Sequence, residues 1–253
     1  MKKIVLITGA TSGIGKACAE KFASEEFNII ITGRRKEKLE SLKNFIETKN
    51  NVQVYSLCFD VQNKDAVVES INSIPEEWKN IDILINNAGL ALGRDNFETA
   101  SMEDWETMIQ TNVNGLLYVT KAILPILIQN KKGHIINVGS IAAKEVYENG
   151  NVYCASKFAV DAISKSMRID LLKYGIKVTA IHPGAVETEF SLVRFKGDDI
   201  KAAAAYQGYE PLRPEDISAS IFYAANLPEH VCINELTITC TQQANATYFY
   251  KNN

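Results

Sequence analysis

The chain has 253 residues, 46% of them hydrophobic and 23% charged. That is enough for one large α/β core and too little for a comfortable second domain, so residues 1–253 are expected to form a single unit. Its 27 basic and 30 acidic residues are well mixed and sum to −3, which gives no footing for nucleic acid or an anionic membrane surface. Lys2-Lys3 runs straight into a strand pattern, no apolar run reaches membrane-spanning length, and Cys18, Cys58, Cys154, Cys232 and Cys240 are odd in number and scattered. Together these lead to the expectation of a cytoplasmic protein with reduced, packed cysteines and no membrane or metal partner.

In chain order, the apolar, β-branched run after Lys3 predicts a strand over 4–8, buried on both faces, and a helix over 14–26 follows it. Between them lies Gly9-Ala10-Thr11-Ser12-Gly13-Ile14-Gly15. Glycines at a strand-to-helix junction leave free amide N–H groups and a positive helix end facing whatever binds there, which suits a pyrophosphate. A second strand over 28–32 ends at Gly33-Arg34-Arg35. The pattern continues as helix 36–47, strand 52–58, helix 63–72, strand 81–85, helix 103–130, strand 134–139, helix 153–173, strand 176–181, helix 214–226 and strand 235–239. Strict alternation with short connections predicts right-handed crossovers and an α/β, doubly wound parallel sheet of about seven strands, with helices on both faces. The exception is the irregular stretch 183–213, which is far longer than an ordinary connection. It follows the sixth strand on the carboxyl edge, where ligands of such sheets bind, and reads as a substrate loop.

Tyr153 and Lys157 stand one helical turn apart, thirteen residues after Ser140. A phenol titrates near 10, so acid–base work at neutral pH needs help, and a lysine at i+4 offers a charge that favours phenolate. In a chain with ten tyrosines one such pair is expected by chance. Ser140, closing the fifth strand on the same edge as the glycine turn, can hydrogen-bond a substrate oxygen or simply cap the strand end. Asn112, in Gln110-Thr111-Asn112-Val113-Asn114, is a poor helix residue, but spacing alone does not separate it from Asn114.

Taken together, Thr8-Gly9-Ala10-Thr11-Ser12-Gly13-Ile14-Gly15, Asn86-Asn87-Ala88-Gly89, Asn112, Ser140, Tyr153-x-x-x-Lys157 and Pro183-Gly184 resemble the short-chain dehydrogenase/reductase family from about Lys3 to Thr239. Thr32-Gly33-Arg34-Arg35, Gly89-Leu90-Ala91-Leu92-Gly93, Asn151-Val152-Tyr153 and Glu189 to Asp198 look most like its NADP-dependent 3-hydroxy acid dehydrogenase branch, which oxidises serine and allo-threonine. The resemblance implies a Rossmann-type fold. It makes Tyr153 the acid/base, Lys157 its activator and a ribose ligand, Ser140 the orienter of the substrate oxygen, and Asn112 the holder of a proton-relay water. Asn87, Ala88 and Gly89 would pack beside the cofactor ribose, and Asp60-Val61 beside the adenine. Pro183, Gly184, Val186 and Thr188 would hold the carboxamide. A homo-oligomer, commonly a tetramer, is implied as well.

NAD sites generally place a carboxylate after the second strand to bind the ribose hydroxyls. Here Arg34 and Arg35 offer guanidiniums suited to a 2′-phosphate, so NADP is expected. Arg194 and Lys196 put positive charge on a loop otherwise rich in Phe190, Leu192, Val193 and Phe195, suiting a small hydroxy acid with a carboxylate. Equally, those charges can face solvent or another subunit. Two alternatives stay open: a carbonyl reductase for substrates lacking a carboxylate, and a non-catalytic NADP(H)-binding sensor. Ile141-Ala142-Ala143 departs from relatives that have serine and glycine after Ser140, and the apolar tail at Tyr248, Phe249 and Tyr250 offers a surface for an oligomer interface.

Overall fold

Seven apolar runs form the strands β1 (Ile4–Ile7), β2 (Asn28–Gly33), β3 (Val54–Cys58), β4 (Ile81–Asn86), β5 (Gly133–Val138), β6 (Ile176–Pro183) and β7 (Glu235–Ile238) in a computed structural model that describes residues 2–252. All pairings are parallel, in the order β3-β2-β1-β4-β5-β6-β7. Strand order reverses between β1 and β4, and the carboxyl ends that part there open the crevice in which such sheets take ligands.

The strand period of two sends alternate side chains to opposite faces. Val5, Ile7, Ile29 and Ile31 join Phe22 of α1 (Gly13–Ser24), Leu39 and Ile46 of α2 (Lys36–Lys49), and a later helix on one face. Ile4, Leu6, Ile30 and Leu84 meet Val67 of α3 (Lys64–Asn72) and a long helix on the other. Each such buried side chain contributes about 1.5–3 kcal/mol, which is why near-continuous apolar runs mark these strands.

Three expectations change. The helix expected over 103–130 is α4 (Met102–Ile109), a π-helical turn at Gln110–Gly115, and α5 (Leu116–Asn130). The wide turn lies where Gly115 meets β3's following loop: a Cβ there would stand 2.8 Å from Val61 Cγ2. This rod, Met102–Asn130, is long and apolar enough to cross a membrane by length and composition, unlike the reading from consecutive apolar residues, because after Glu106 its polar residues are uncharged except for Lys121. It serves as a core helix, with Val119, Ile123 and Leu127 fully buried against the sheet.

The second change lies in 183–213, which is not irregular throughout. It contains α7 (Glu189–Arg194) and α8 (Asp199–Ala204), then leads into α9 (Pro214–Ala225). Both short helices are capped by side chains, Thr188 accepting from Phe190 N and Asp198 from Lys201 N. Third, Cys58 is exposed at the end of β3 rather than packed. Between β5 and α9, α6 (Asn151–Leu171) and β6 complete the scaffold.

Candidate active site

The turn after β1 is shaped by backbone. Gly9 and Gly13 adopt φ of 66° and 51°, which other L-residues avoid, and a Cβ on Gly9 would stand 2.9 Å from Ala88 Cα. Thr8 Oγ1 accepts from Asn87 N and Ala88 N at 3.0 Å each, while Asn87 Nδ2 donates to Thr8 O at 2.9 Å. These bonds pin the turn to the end of β4. Ser12 precedes α1 without capping it by its side chain, so the first amides of α1 remain open to the cleft. Open amides, a positive helix end and a glycine cradle together fit a dinucleotide pyrophosphate.

At the end of β2 the two arginines are partly engaged. Arg34 Nη1 lies 3.3 Å from Asp60 Oδ2 and its side chain is 60% exposed. Arg35 spans the glycine turn, donating to Thr11 Oγ1 at 2.8 Å, Ser12 Oγ at 2.9 Å and Glu189 Oε2 at 2.8 Å. Lys38 Nζ reaches the other Glu189 oxygen at 2.9 Å. Partial burial raises the Glu189 carboxyl, but the hydrogen bonds from Arg35 and Lys38 outweigh it and bring it down to about 2. This carboxylate, which sequence reasoning missed, ties the first residue of α7 to the cofactor side of the cleft.

Tyr153 and Lys157 lie one turn apart on α6, both buried, as their spacing requires. Lys157 Nζ donates to Val138 O at 3.1 Å, and burial lowers the ammonium to about 8. Burial pushes the Tyr153 phenol above its ordinary range and the Tyr147 phenol adds to this, while the Ser140 hydroxyl and the Arg194 guanidinium pull it back. Arg194 therefore joins Lys157 as a cation beside this ring, its guanidinium carbon 5.5 Å from the ring centre against 6.0 Å for Lys157 Nζ.

Ser140 does cap a turn: Oγ accepts from Ala142 N at 3.1 Å and starts the short 3-10 segment Ile141–Ala143. Its O–H proton stays available to an oxygen in the cleft. The π-helical turn separates the two asparagines. Asn112 points inward, 1% exposed, bonding Leu90 N and Leu90 O at 2.8 Å each and Ser156 Oγ at 3.0 Å. Asn114 instead donates to Gln110 Oε1 along its own helix. A Cβ on Gly89 would stand 3.1 Å from Asn112 Oδ1 and 3.5 Å from Lys157 Nζ, so both groups converge on that glycine.

The long loop closes the other side. Gln243 Oε1 accepts from Ala185 N at 2.9 Å and leaves no room for a Cβ on Gly184. Phe249 packs on Tyr209 of the same chain, with ring centres 4.7 Å apart, while Tyr248 and Tyr250 stay exposed. Thr188 abuts Gly13, and the Phe190 ring lies 5.7 Å from that of Tyr153. Arg194, ending α7, donates from Nε to Gly93 O at 3.1 Å and from Nη1 to the Tyr147 hydroxyl at 3.0 Å. Its Nη2 is buried with no hydrogen-bond partner among the described residues. Lys196 turns away, to Asp104 Oδ2 at 2.8 Å with its side chain 60% exposed.

One cleft of about 340 Å³ is lined by Thr11, Ser12, Ile14, Arg34, Arg35, Asp60, Val61, Asn87, Ala88, Gly89, Ser140, Tyr153, Lys157, Pro183, Gly184, Val186 and Thr188, together with Gly9 and Gly13. Ala10, Gly15, Asn112 and Arg194 are not part of this lining, though the Arg194 guanidinium lies beside the Tyr153 ring that is. Ala10 is fully buried in the core, and Gly15 packs under Gly9 and Asn87, so neither residue lines the cleft. Leu90, Thr111, Glu189, Phe190 and Val193 also line it and had no site role assigned from the sequence. Phe190 and Val193 belong to a helix too short to show a period.

A parallel sheet with its switch point at β1/β4, a glycine turn feeding α1, and a serine facing a Tyr–Lys pair define a dinucleotide-dependent dehydrogenase architecture. The chain belongs to the short chain dehydrogenase family, whose pattern matches residues 3–198. It is 48% identical over 244 residues to the NADP-dependent 3-hydroxy acid dehydrogenase YdfG of Escherichia coli (strain K12), covering 96% of this chain and 97% of the relative. It is 45% identical over 245 residues to a sulfoacetaldehyde reductase of Chromohalobacter salexigens, covering 96% of both. Among solved structures, the closed form of a serine dehydrogenase complexed with NADP+ superposes with a TM-score of 0.91 at 46% identity, covering 99% of this chain and 100% of that one.

Proposed function

We propose that this protein is an NADP-dependent dehydrogenase that reversibly oxidises the 3-hydroxyl of short 3-hydroxy acids of the serine, allo-threonine and 3-hydroxybutyrate type. The observation that carries the substrate class is Arg194: a guanidinium beside Tyr153 with its Nη2 buried and unpaired among the described residues. An unpaired buried donor costs about 1–3 kcal/mol, which an anionic group on the substrate would offset. Similarity to relatives named for 3-hydroxy acids, serine and sulfoacetaldehyde supports a small substrate with an anionic end.

In this reading NADP supplies the hydride acceptor or donor. The first amides of α1 would hold its pyrophosphate, Arg34 and Arg35 its 2′-phosphate, Asp60-Val61 its adenine, and Asn87-Ala88-Gly89 with Lys157 its ribose. Pro183, Gly184, Val186 and Thr188 would hold the carboxamide. Ser140 would donate to the substrate oxygen while Tyr153 takes the hydroxyl proton, and Lys157 would pass that proton outward through the relay water assigned to Asn112. Arg194 would hold the carboxylate and so orient the 3-carbon within the cleft.

Residues 183–213 act as the substrate loop of one domain spanning 1–253. We place the enzyme in the cytoplasm as a homo-oligomer, a tetramer by resemblance. The outward apolar side chains Leu117, Phe158, Ile169 and Leu172 support self-association, which sedimentation would measure. The deciding assay gives the purified protein NADP+ or NAD+ with L-serine, allo-threonine, 3-hydroxybutyrate and 2-butanol. Turnover restricted to 2-butanol would replace the assignment with a carbonyl reductase; NADP+ binding without turnover of any of them would leave a sensor.

A further inference from the structure

Behind Ser140, on the side away from the cleft, sits a group that the reaction described above does not use. His182, the penultimate residue of β6, is fully buried. Its Nδ1 lies 3.2 Å from Ser140 O. A carbonyl only accepts, so this ring nitrogen carries a proton whether the imidazole is neutral or charged. Gly139 N donates to Ile181 O at 2.7 Å, and a Cβ on Gly139 would collide with the imidazole, so the backbone at 139–140 rests directly on the ring.

The far side of the ring faces a carboxylate, and Nε2 has no hydrogen-bond partner among the described residues. Nε2 lies 3.4 Å from Asp161 Oδ1, on α6 eight residues after Tyr153. Asp161 also takes Lys144 Nζ at 3.0 Å and Lys165 Nζ at 2.8 Å, and Glu235 of β7 takes the same two lysines at 2.7 and 3.3 Å. Lys144 ends the 3-10 segment that Ser140 begins. Asp161, His182 and Glu235 bring ligand-type atoms within 4.8 Å of one another, but the two ammonium groups already bridge both carboxylates, which makes the cluster an ion-pair clamp. The clamp joins β7, the turn after β5, and the helix that carries Tyr153 and Lys157, and His182 of β6 lies against it.

We propose that His182 is a positioning residue for Ser140: its Nδ1–H holds the Ser140 carbonyl, so the serine hydroxyl stays aimed at the oxygen on which Tyr153 acts. The proposal rests on the role assigned to Ser140 above. Burial and the nearby Lys144 both press the imidazole below its ordinary range, and Asp161, Ser140 O and Glu235 oppose this; the bond from Nδ1–H to Ser140 O is available to the neutral ring as well.

The test compares His182→Leu, which keeps an apolar side chain without a donor, with His182→Asn, which returns an N–H close to the Nδ1 position. Ser140→Ala runs in parallel, and melting temperature and NADP+ affinity are measured throughout. H182L is expected to lower kcat by about 10- to 100-fold, the scale of a small misplacement of a reacting group. KM and NADP+ affinity should stay within about threefold, since the cofactor contacts are untouched. H182N should recover most of kcat, and crystal structures should show Ser140 displaced in H182L and restored in H182N. Turnover lost in S140A but kept in H182L overturns the positioning role alone. Equal losses in H182L and H182N, or an unmoved Ser140 in the H182L crystal, also overturn it. Turnover kept in S140A overturns the assignment of Ser140 itself, and the positioning role with it.

Discussion

The glycine turn at 9–15 and the loop at 183–213 line the same cleft, but one is held by backbone and the other by side chains. In the turn, positive φ at Gly9 and Gly13, the Thr8 and Asn87 hydrogen bonds and the open amides of α1 build the surface, with Arg35 bracing Thr11 and Ser12 from outside. In the loop, contacts run through Glu189 to Arg35 and Lys38, and through Arg194 to Tyr147 and Gly93. Backbone geometry suits a ligand part shared by every dinucleotide, whereas side chains can be exchanged to choose a cofactor or a substrate. The two regions meet at only a few points, among them Thr188 against Gly13 and Glu189 on Arg35.

Substitutions can break or sharpen that contrast. The largest effect is expected between the two regions: Tyr153→Phe should lower turnover by about 10²–10⁴-fold while NADP+ binding, read by fluorescence titration, stays nearly intact. Near-normal turnover would remove Tyr153 from the chemistry.

Next come the arginines after β2. Replacing Arg34 and Arg35 by Ala should weaken NADP+ far more than NAD+, since each charge-assisted contact is worth about 1.5–3 kcal/mol. Arg35→Ala alone should also weaken NAD+, because Arg35 braces the turn and the loop together. Equal weakening of both cofactors by Arg34→Ala would show that Arg34 does not read the phosphate.

On the loop side, Arg194→Met should reduce kcat/KM for serine or 3-hydroxybutyrate by roughly 10–100-fold. An uncharged alcohol should lose less, though not nothing, since the guanidinium also braces Tyr147 and Gly93. Equal losses would make Arg194 a support for the loop alone.

Acidity gives a smaller, graded effect. Burial holds the Tyr153 phenol above its ordinary range, so it keeps its proton through neutral pH and the base form is scarce. Alcohol oxidation should therefore accelerate by about tenfold per pH unit between pH 7 and 9, with carbonyl reduction showing no such rise. A plateau in oxidation at pH 7 would mean that the bound cofactor and substrate ionise Tyr153. The smallest change is expected from Glu189→Gln, which frees Arg35 and Lys38 for phosphate at the cost of an exposed ion pair worth up to about 1 kcal/mol. NADP+ should bind about two- to fivefold tighter. Weaker binding would show that the Glu189 latch matters more than the charge it occupies.

The turn, the strands and the Tyr153–Lys157 pair were legible in the sequence because each depends on neighbours within a few positions: φ preference, alternation, helical spacing. Thr188 and Asp198 carried readable cap signals for α7 and α8, but helices of 6 residues give no period to detect. The choice between Asn112 and Asn114 needed the π-helical turn, which rotates one side chain inward. Likewise only the folded chain decided that Arg194 faces Tyr153 while Lys196 pairs with Asp104, and that His182 and Glu189 touch the site at all. Arg194 takes its direction from Tyr147 and Gly93, 47 and 101 positions away, and Glu189 from Arg35, 154 away. Local sequence fixes where the backbone turns; the aim of a side chain on a loop is set by whichever partners the sheet brings beside it.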